Sequence, residues 1–181
     1  SVNWVWGAGR HETCCVASFW RCMFTAVWPR YYGGGGMYNS SSSPTLTDCT
    51  FNANSADEWV WGGGMYNDYA SFPTLADCTF IGNSASMGGG MENHDCSSPG
   101  LTNCTFTGNS ALGGGAMTNE HYSSPELVDC AFLANPAALL GGGMYNLDNS
   151  CPRLTNCTFD ANSADYAGGG MRNEYACPSL M

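Results

Sequence analysis

A six-residue block, Gly-Gly-Gly-Met-Tyr-Asn, recurs along the chain at nearly constant spacing. The copy that ends at Asn67 is accompanied by five others, which are identical to it or differ at one or two positions. Their methionines lie 26 to 28 residues apart. A fixed period in this range is typical of solenoid folds, in which each repeat forms one coil.

A second motif, Leu-x-x-Cys-x-Phe-x-x-Asn, lies between the glycine blocks. Its Cys and Phe are two residues apart, so they point to the same face of a β-strand. No segment has the 3.6-residue period and the length that a helix needs. Short strands separated by bends, repeated about every 27 residues, predict an all-β fold: a right-handed parallel β-helix of six to seven coils.

Equivalent residues of successive coils stack at about 4.8 Å and form columns along the axis of such a fold. Three columns are expected to fill the core. They contain Met37, Met65, Met91, Met117, Met144 and Met171; Cys49, Cys78, Cys104, Cys130 and Cys157; and Phe51, Phe80, Phe106, Phe132 and Phe159. The cysteines have two interpretations, metal or redox chemistry and packing as small buried side chains. The lack of any Cys-x-x-Cys pair favours packing.

Asn and Asp predict three bends in each coil, because they tolerate left-handed backbone and hydrogen-bond to nearby main chain. The first bend lies between Leu and Cys, at Asp48, Asp77, Asn103, Asp129 and Asn156. The second follows Phe, at Asn54, Asn83, Asn109, Asn135 and Asn162. The third follows Met, at Asn39, Asn67, Asn93, Asn119, Asn146 and Asn173. Amide side chains in these columns are expected to bond from coil to coil.

The first 32 residues look unlike the rest of the chain, but they keep the register. Arg10 lies 27 residues before Met37. We therefore expect a single β-helix domain over residues 1–181, with a degenerate N-terminal coil at 1–32 and regular coils at 33–181. Terminal repeats of solenoids are atypical because they cover the end of the core.

The charge balance is strongly acidic, with fifteen Asp and Glu, five arginines, no lysine and a net charge of -10. Such a chain is repelled by nucleic acid and by anionic membrane surfaces, so neither is an expected partner. No apolar run approaches the roughly 20 residues of a membrane span, and we expect no membrane insertion. Because the sequence starts at Ser1 rather than Met, we expect a processed mature chain or a fragment.

Two cysteines, Cys151 and Cys177, each precede a proline in adjacent coils. Equivalent positions of stacked coils lie near the Cα separation of about 5.5 Å that a disulfide needs. We predict this bond, which fits an oxidising setting outside the cell or at the cell surface. The pairing of the remaining turn cysteines stays open: Cys14, Cys15 and Cys96.

Acidic residues follow the Met blocks by three or four positions. They are Asp68, Asp95, Glu120, Asp148 and Glu174. The simpler interpretation is a solvated, charged edge. The alternative is binding of Ca²⁺, which would relieve the repulsion between stacked carboxylates. No calcium-loop spacing is present, and no other cofactor is expected.

Parallel β-helices also occur as polysaccharide lyases and hydrolases, which need paired carboxylates or a basic residue beside an acid. Here the repeat disperses the acids, and the arginines do not cluster beside them. His94 and His121 fall at turn or outward positions, where surface histidines are common. We therefore expect no enzymatic activity, with a polysaccharide enzyme as a distant alternative.

A tyrosine follows Met in three of the blocks, at Tyr38, Tyr66 and Tyr145. Strand alternation points these side chains outward. They would strengthen strand pairing, or form a sticky face for sugars or for other copies of the rod. Glycans are therefore candidate partners, and the serine-rich turn at 40–43 is a candidate site of O-glycosylation.

With both motifs, the chain resembles the repeats of chlamydial polymorphic outer membrane proteins, which carry a GGA-plus-aliphatic motif and an F-x-x-N motif. The matching residues are Gly-Gly-Gly-Met and pairs such as Phe51 and Asn54. The chain is also similar to bacterial right-handed parallel β-helix repeat surface proteins. The resemblance implies a secreted or surface-exposed rod that is often adhesive. The chain departs from the motif in having Met in place of Ile or Val.

An uncapped β-helix exposes strand edges and core side chains at its ends, and such edges pair with other chains unless something blocks them. Contact between two unlike ends does not close on itself and generates a filament. We therefore predict a non-catalytic structural subunit that forms a head-to-tail homopolymer. Candidate contact residues are Trp4, Trp6, Phe19, Trp20, Phe24, Trp28, Leu180 and Met181. The alternatives are a monomeric or anchored adhesin-like surface module that binds host, matrix or glycan, and a Trp-rich coil that caps the end.

Overall fold

The computed structural model of the chain describes residues 3–4, 10–13, 18–26, 33–56 and 60–181. All regular structure in these ranges is β-strand. None of the described residues belongs to a helix of the length and apolarity that a membrane crossing needs.

Three parallel sheets of seven strands each run the length of the described chain. The Phe sheet contains β1 (Asn3–Trp4), β4 (Cys22–Thr25), β7 (Thr50–Asn52), β10 (Thr79–Ile81), β13 (Thr105–Thr107), β17 (Ala131–Leu133) and β21 (Thr158–Asp160). The Met sheet contains β2 (Arg10–Thr13), β5 (Met37–Ser40), β8 (Met65–Asp68), β11 (Met91–Asn93), β15 (Met117–Asn119), β19 (Met144–Leu147) and β23 (Met171–Glu174). The Leu sheet contains β3 (Ser18–Trp20), β6 (Thr45–Thr47), β9 (Thr74–Ala76), β12 (Gly100–Thr102), β16 (Glu126–Val128), β20 (Arg153–Thr155) and β24 (Ser179–Leu180). A fourth, three-stranded sheet contains β14 (Ala111–Gly113), β18 (Pro136–Leu140) and β22 (Ser163–Ala164).

Each coil passes through the Leu sheet, the Phe sheet and the Met sheet in that order. Strands pair with the equivalent strand of the next coil, so that Phe51 lies beside Phe80 and Met65 beside Met91. About six turns of roughly 27 residues result. The prediction of a parallel β-helix is confirmed. In the first coil, Arg10 pairs with Met37, which is the register expected from the sequence.

The core consists of columns of identical side chains. Phe24, Phe51, Phe80, Phe106, Phe132 and Phe159 stack with ring centroids 4.5–5.0 Å apart and nearly parallel planes. The Met and Leu columns are buried beside them, while Phe159 and Met171 of the last coil are only partly buried. Each aromatic pair contributes roughly 0.5–1.5 kcal/mol beyond its buried area. The same contact is therefore repeated once per coil.

The cysteine column lies in the same core. The thiols of Cys49, Cys78, Cys104 and Cys130 are free and buried. Cys104 Sγ donates to the carbonyl oxygens of Thr102 at 3.4 Å and Leu75 at 3.8 Å. These contacts satisfy the weak S–H donor inside an apolar environment and agree with the packing interpretation.

The first predicted bend lies where the sequence placed it. Asp48, Asp77, Asn103, Asp129 and Asn156 all have φ between 51° and 55°, in the left-handed region. Asn and Asp adopt this backbone at lower cost than other non-glycine residues. The corner between the Leu and Phe sheets is thus encoded in each repeat.

The second Asn column follows its corner by one residue. The left-handed residue is Ala53, Gly82, Gly108, Ala134 or Ala161. Asn109 then turns inward, where its amide donates to Phe80 O at 3.0 Å and to Asn135 Oδ1 at 3.1 Å. The backbone N–H of Asn109 also donates to Asn135 Oδ1, at 2.9 Å. One side chain therefore satisfies main-chain and side-chain groups of two neighbouring coils.

The third predicted bend is wrong. The Asn column from Asn39 to Asn173 lies inside the strands of the Met sheet, and its amides bond to one another at 2.7–2.9 Å. The corner comes two or three residues later, with left-handed backbone at positions such as Ser41 and Asp95. An unbroken chain of amides makes buried Asn acceptable in a strand, because each amide supplies both a donor and an acceptor.

The glycine block reverses the chain. Between the Phe sheet and the glycine block, each coil sends an outer segment across the outside of the Met sheet; residues 84–87 are one example. Gly88, at φ 57°, begins the return into β11. A Cβ on Gly89 would clash with the carbonyl oxygens of Ser110 and Gly115 in the next coil. The first glycine supplies left-handed backbone and the second permits close stacking.

We expect Gly89→Ala to destabilise the protein by about 2 kcal/mol or more, because fixed backbone must move to admit the methyl group. Gly100→Ala is the matched control, since nothing lies within 4 Å of its added Cβ. The control is expected to be neutral or slightly stabilising. Urea unfolding followed by circular dichroism measures both, and equal midpoints would contradict this role of the glycine block.

Candidate functional site

The outer segments bury the outward face of the Met sheet. The rings of Tyr38, Tyr66 and Tyr145 point outward as predicted, but they are covered rather than exposed. The Trp61 and Tyr66 rings lie 5.9 Å apart. A Cβ on Gly113 would approach Tyr145 Cδ1 to 3.1 Å, so the segment passes directly over the ring. The predicted sticky face of these three tyrosines is therefore not available to a ligand.

Glu92 occupies the same covered position in the next coil. It pairs with Tyr66 on one side and Thr118 on the other. Its exposed fraction is 0 %, and neither carboxyl oxygen has a hydrogen-bond partner. The Thr118 hydroxyl donates to Gly113 O at 3.1 Å, so its proton is committed elsewhere. A carboxyl group is thus buried without compensation, which is costly.

Burial raises the pKa of Glu92 well above its ordinary value, and the negative charges of Glu120 and Asp68 raise it further. The neighbouring Thr118 hydroxyl acts in the opposite direction. The dominant cause is loss of water around the charged form.

Six ionisable side chains gather where the Met strands end, and we call them the His–acid corner. They are Asp68, His94, Asp95, Glu120, His121 and Asp148. They form two adjacent columns. Asp68, His94 and Glu120 follow one another in the first column, while Asp95, His121 and Asp148 form the second. In both columns a histidine lies between two acids.

His94 is the centre of this corner. Its Nδ1 lies 3.1 Å from Asp68 Oδ1 and 3.6 Å from Asp95 Oδ1, and its Nε2 lies 3.4 Å from Glu120 Oε1. The Trp61 ring is parallel to the imidazole at 6.0 Å. The hydrogen bond to Asp68 raises the pKa of His94, and the charges of Glu120 and Asp95 raise it further against the effect of burial.

Burial also raises the pKa of Glu120, while His94 and His121 oppose the rise. Alternating acids and imidazoles therefore offset the repulsion that a column of carboxylates would create. Two sets of ligand atoms lie close enough for a metal ion, each within 4.8 Å: His94, Asp95 and His121, and Glu120, His121 and Asp148.

The predicted acidic edge is wrong in its geometry. Asp68, Glu120 and Glu174 belong to one column, and Asp95 and Asp148 to the next, because their distance from Met differs by one residue. Glu174 lies apart from the corner, with its Oε2 2.9 Å from the Tyr145 hydroxyl and 3.7 Å from Arg172.

Sequence reasoning missed Glu92 and treated His94 and His121 as ordinary surface histidines. The available signal was the 26-residue step, which places His94 between Asp68 and Glu120. No signal in a single sequence marked Glu92 as buried, since the segment that covers it varies from coil to coil.

The candidate contact residues of the chain ends differ in their placement. Phe19 and Phe24 are core residues, so the prediction that they contact another subunit is wrong. Their rings pack edge to face at 6.1 Å. Trp20, Leu180 and Met181 are exposed. The side chains of Trp4, Trp6 and Trp28 lie outside the described residues.

The predicted disulfide is confirmed. Cys151 and Cys177 are bonded, with their Cα atoms 4.5 Å apart and 26 residues between them in sequence. The bond joins the last coil to the one before it. Cys96 is free and exposed, and Cys14 and Cys15 lie outside the described residues.

A family model, described as the right-handed beta helix region, matches residues 17–159. The chain belongs to the right-handed β-helix family. A search of curated proteins and a search of solved structures each found no significant match. Membership of the right-handed β-helix family establishes the coil and its columns, whereas any chemistry must be argued from the sites placed on them.

The buried carboxyl of Glu92 predicts a pH-dependent cost. Below about pH 4.3, the ordinary pKa of Glu, both folded and unfolded chains hold the proton. As the pH rises, the unfolded chain loses the proton first, so the folded state is progressively destabilised. We expect the free-energy difference between Glu92→Gln and the unsubstituted protein to favour the variant more at pH 7 than at pH 4.

Chemical denaturation at both pH values, in buffer containing a chelator, measures this difference. Glu126→Gln is the control, because Glu126 is an exposed carboxyl on the Leu sheet. Its effect is expected to be the same at the two pH values. A pH-independent effect of Glu92→Gln would contradict the burial of an unpaired carboxyl.

Proposed function

We propose that this right-handed β-helix protein is a non-catalytic, extracellular structural rod that stacks head to tail into a filament. The observation that carries the proposal is the open final coil. Leu180 is 66 % exposed, whereas its neighbour in the same column, Leu154, is 2 % exposed. The difference arises because no coil covers Leu180, and another rod supplies the same contact.

The strand edges favour the same mode of association. β21, β23 and β24 each form the last strand of a sheet and leave one row of backbone groups unpaired within the described chain. Unpaired edges of this kind template the addition of another strand. Because all strands in the three large sheets are parallel, only a rod of the same polarity continues the register. The contact joins unlike ends and is open to further growth.

Three features support the extracellular setting and the lack of catalysis. The bond between Cys151 and Cys177 fits an oxidising compartment. The Gly-Gly-Gly-Met and Phe-x-x-Asn motifs resemble those of chlamydial polymorphic outer membrane proteins. Glu92, the carboxyl with the strongest desolvation, has no exposed surface to meet a substrate.

A second candidate function is an adhesin-like rod that binds glycans through aromatic side chains. Tyr69, Phe72, Tyr122 and Tyr175 are exposed beside one another's coils at the corner between the Met and Leu sheets. Exposed aromatic rings in a row suit stacking against sugar rings. A monodisperse rod that binds immobilised glycans, and loses that binding in Tyr122→Ala, would favour this alternative.

Head-to-tail stacking predicts that a charge at the open end blocks assembly. We expect Leu180→Glu to give short, separate rods, because it places a carboxylate within the contact of core columns. Leu112→Glu is the matched control, since Leu112 is an exposed leucine on the side of the rod. This control is expected to assemble like the unsubstituted protein.

Sedimentation velocity over a concentration series, with negative-stain microscopy of the same samples, distinguishes the outcomes. Filaments one rod wide that disappear in Leu180→Glu alone support stacking. Short rods at every concentration of the unsubstituted protein would overturn it, as would equal loss of assembly in both variants.

A further inference from the structure

The His–acid corner has a ligand set that the filament does not use. Ligand atoms of His94, Asp95 and His121 lie within 4.8 Å of one another. Two imidazoles and one carboxylate on consecutive coils therefore converge without any rearrangement of the backbone. The position of each is fixed by the pairing of its coil with the next, through bonds such as Cys96 N to His121 O at 2.9 Å.

A second observation points independently to a cation. Glu92 lies on the same outer face of the Met sheet, two residues before His94, and has no exposed surface. Both of its carboxyl oxygens lack a hydrogen-bond partner. Asp68 and Glu120, the acids nearest to His94, act on the same carboxyl. A buried, unpartnered oxygen donor among acids indicates a missing positive charge.

The ligand chemistry selects the class of ion. Ca²⁺ and Mg²⁺ prefer oxygen ligands in larger number. Imidazole nitrogen combined with carboxylate suits Zn²⁺ and neighbouring transition metals, which are held by three protein ligands with water completing the site. We propose that His94, Asp95 and His121 bind one divalent transition-metal ion of the Zn²⁺ class at the outer corner of the β-helix.

The surroundings of His94 prepare it for this role. Asp68 Oδ1 lies 3.1 Å from Nδ1, and the parallel Trp61 ring covers one face of the imidazole. Carboxylates that hold a ligating histidine in this manner fix the orientation of its ring and increase its basicity. Glu120 and Asp148 add negative charge beside the ion without being needed as ligands. The bound ion joins two successive coils through their side chains.

The test is isothermal titration of Zn²⁺ into the full chain after chelator treatment and alkylation of accessible thiols. Alkylation removes Cys96, which is free and exposed, as a competing ligand. We expect one ion per chain with micromolar or tighter affinity. His94→Gln, Asp95→Asn and His121→Gln are each expected to weaken binding by at least about tenfold. Ca²⁺ in large excess is expected not to compete.

Glu174→Gln is the matched control, because Glu174 stands in the same column as Glu120 but lies outside the ligand set. It is expected to leave Zn²⁺ affinity unchanged. Circular dichroism and thermal melting establish that each variant keeps the fold, and His121, as the most exposed ligand, is the safest substitution in this respect.

Three results would overturn the proposal. The first is no saturable Zn²⁺ binding in the unsubstituted chain. The second is binding that survives His94→Gln and Asp95→Asn but is lost in Asp148→Asn, which would move the ion to the neighbouring set of Glu120, His121 and Asp148. The third is tighter binding of Ca²⁺ than of Zn²⁺, since that requires an oxygen site.

Discussion

Backbone hydrogen bonding between coils in register is the constraint on which the rest of this structure depends. It brings every residue to about 4.8 Å from its equivalents above and below. Each position must therefore tolerate a copy of itself as a neighbour. Phe does so by stacking its rings, Met by filling apolar space, and Asn by linking each amide to the next. Residues that cannot stack on themselves need a different solution.

Carboxylates are the clearest case, because equal charges at this spacing repel each other. At the corner after the Met sheet, the repeat places histidine between acids in both columns. His94 lies between Asp68 and Glu120, and His121 between Asp95 and Asp148. The departure from strict repetition thus produces mixed ligand sets within a fold made of uniform columns. Glu92 is the position where no such compensation is found among the protein side chains.

The sequence predicted the coil, the core columns and the first bend, because these depend on spacing and on residue type alone. It misplaced the third bend, since Asn67 fits either a bend or a buried strand and only a continuous amide column decides between them. It also missed the cover over Tyr66 and Glu92. The residues that form this cover include Trp61, Met87 and Leu140, which share a position but no chemistry. The metal-capable corner was missed because a one-residue offset divides its acids between two columns.

The central claim is that side-chain amides stacked in register replace backbone partners at the corners. Native-state amide hydrogen exchange, followed residue by residue by NMR, tests it directly. The N–H groups of Asn83 and Asn109 donate to the Asn side chain of the next coil at 3.0 and 2.9 Å, respectively. They are predicted to exchange as slowly as the strand amide of Phe106, although they lie at a turn. Exchange as fast as that of exposed turns would contradict the account.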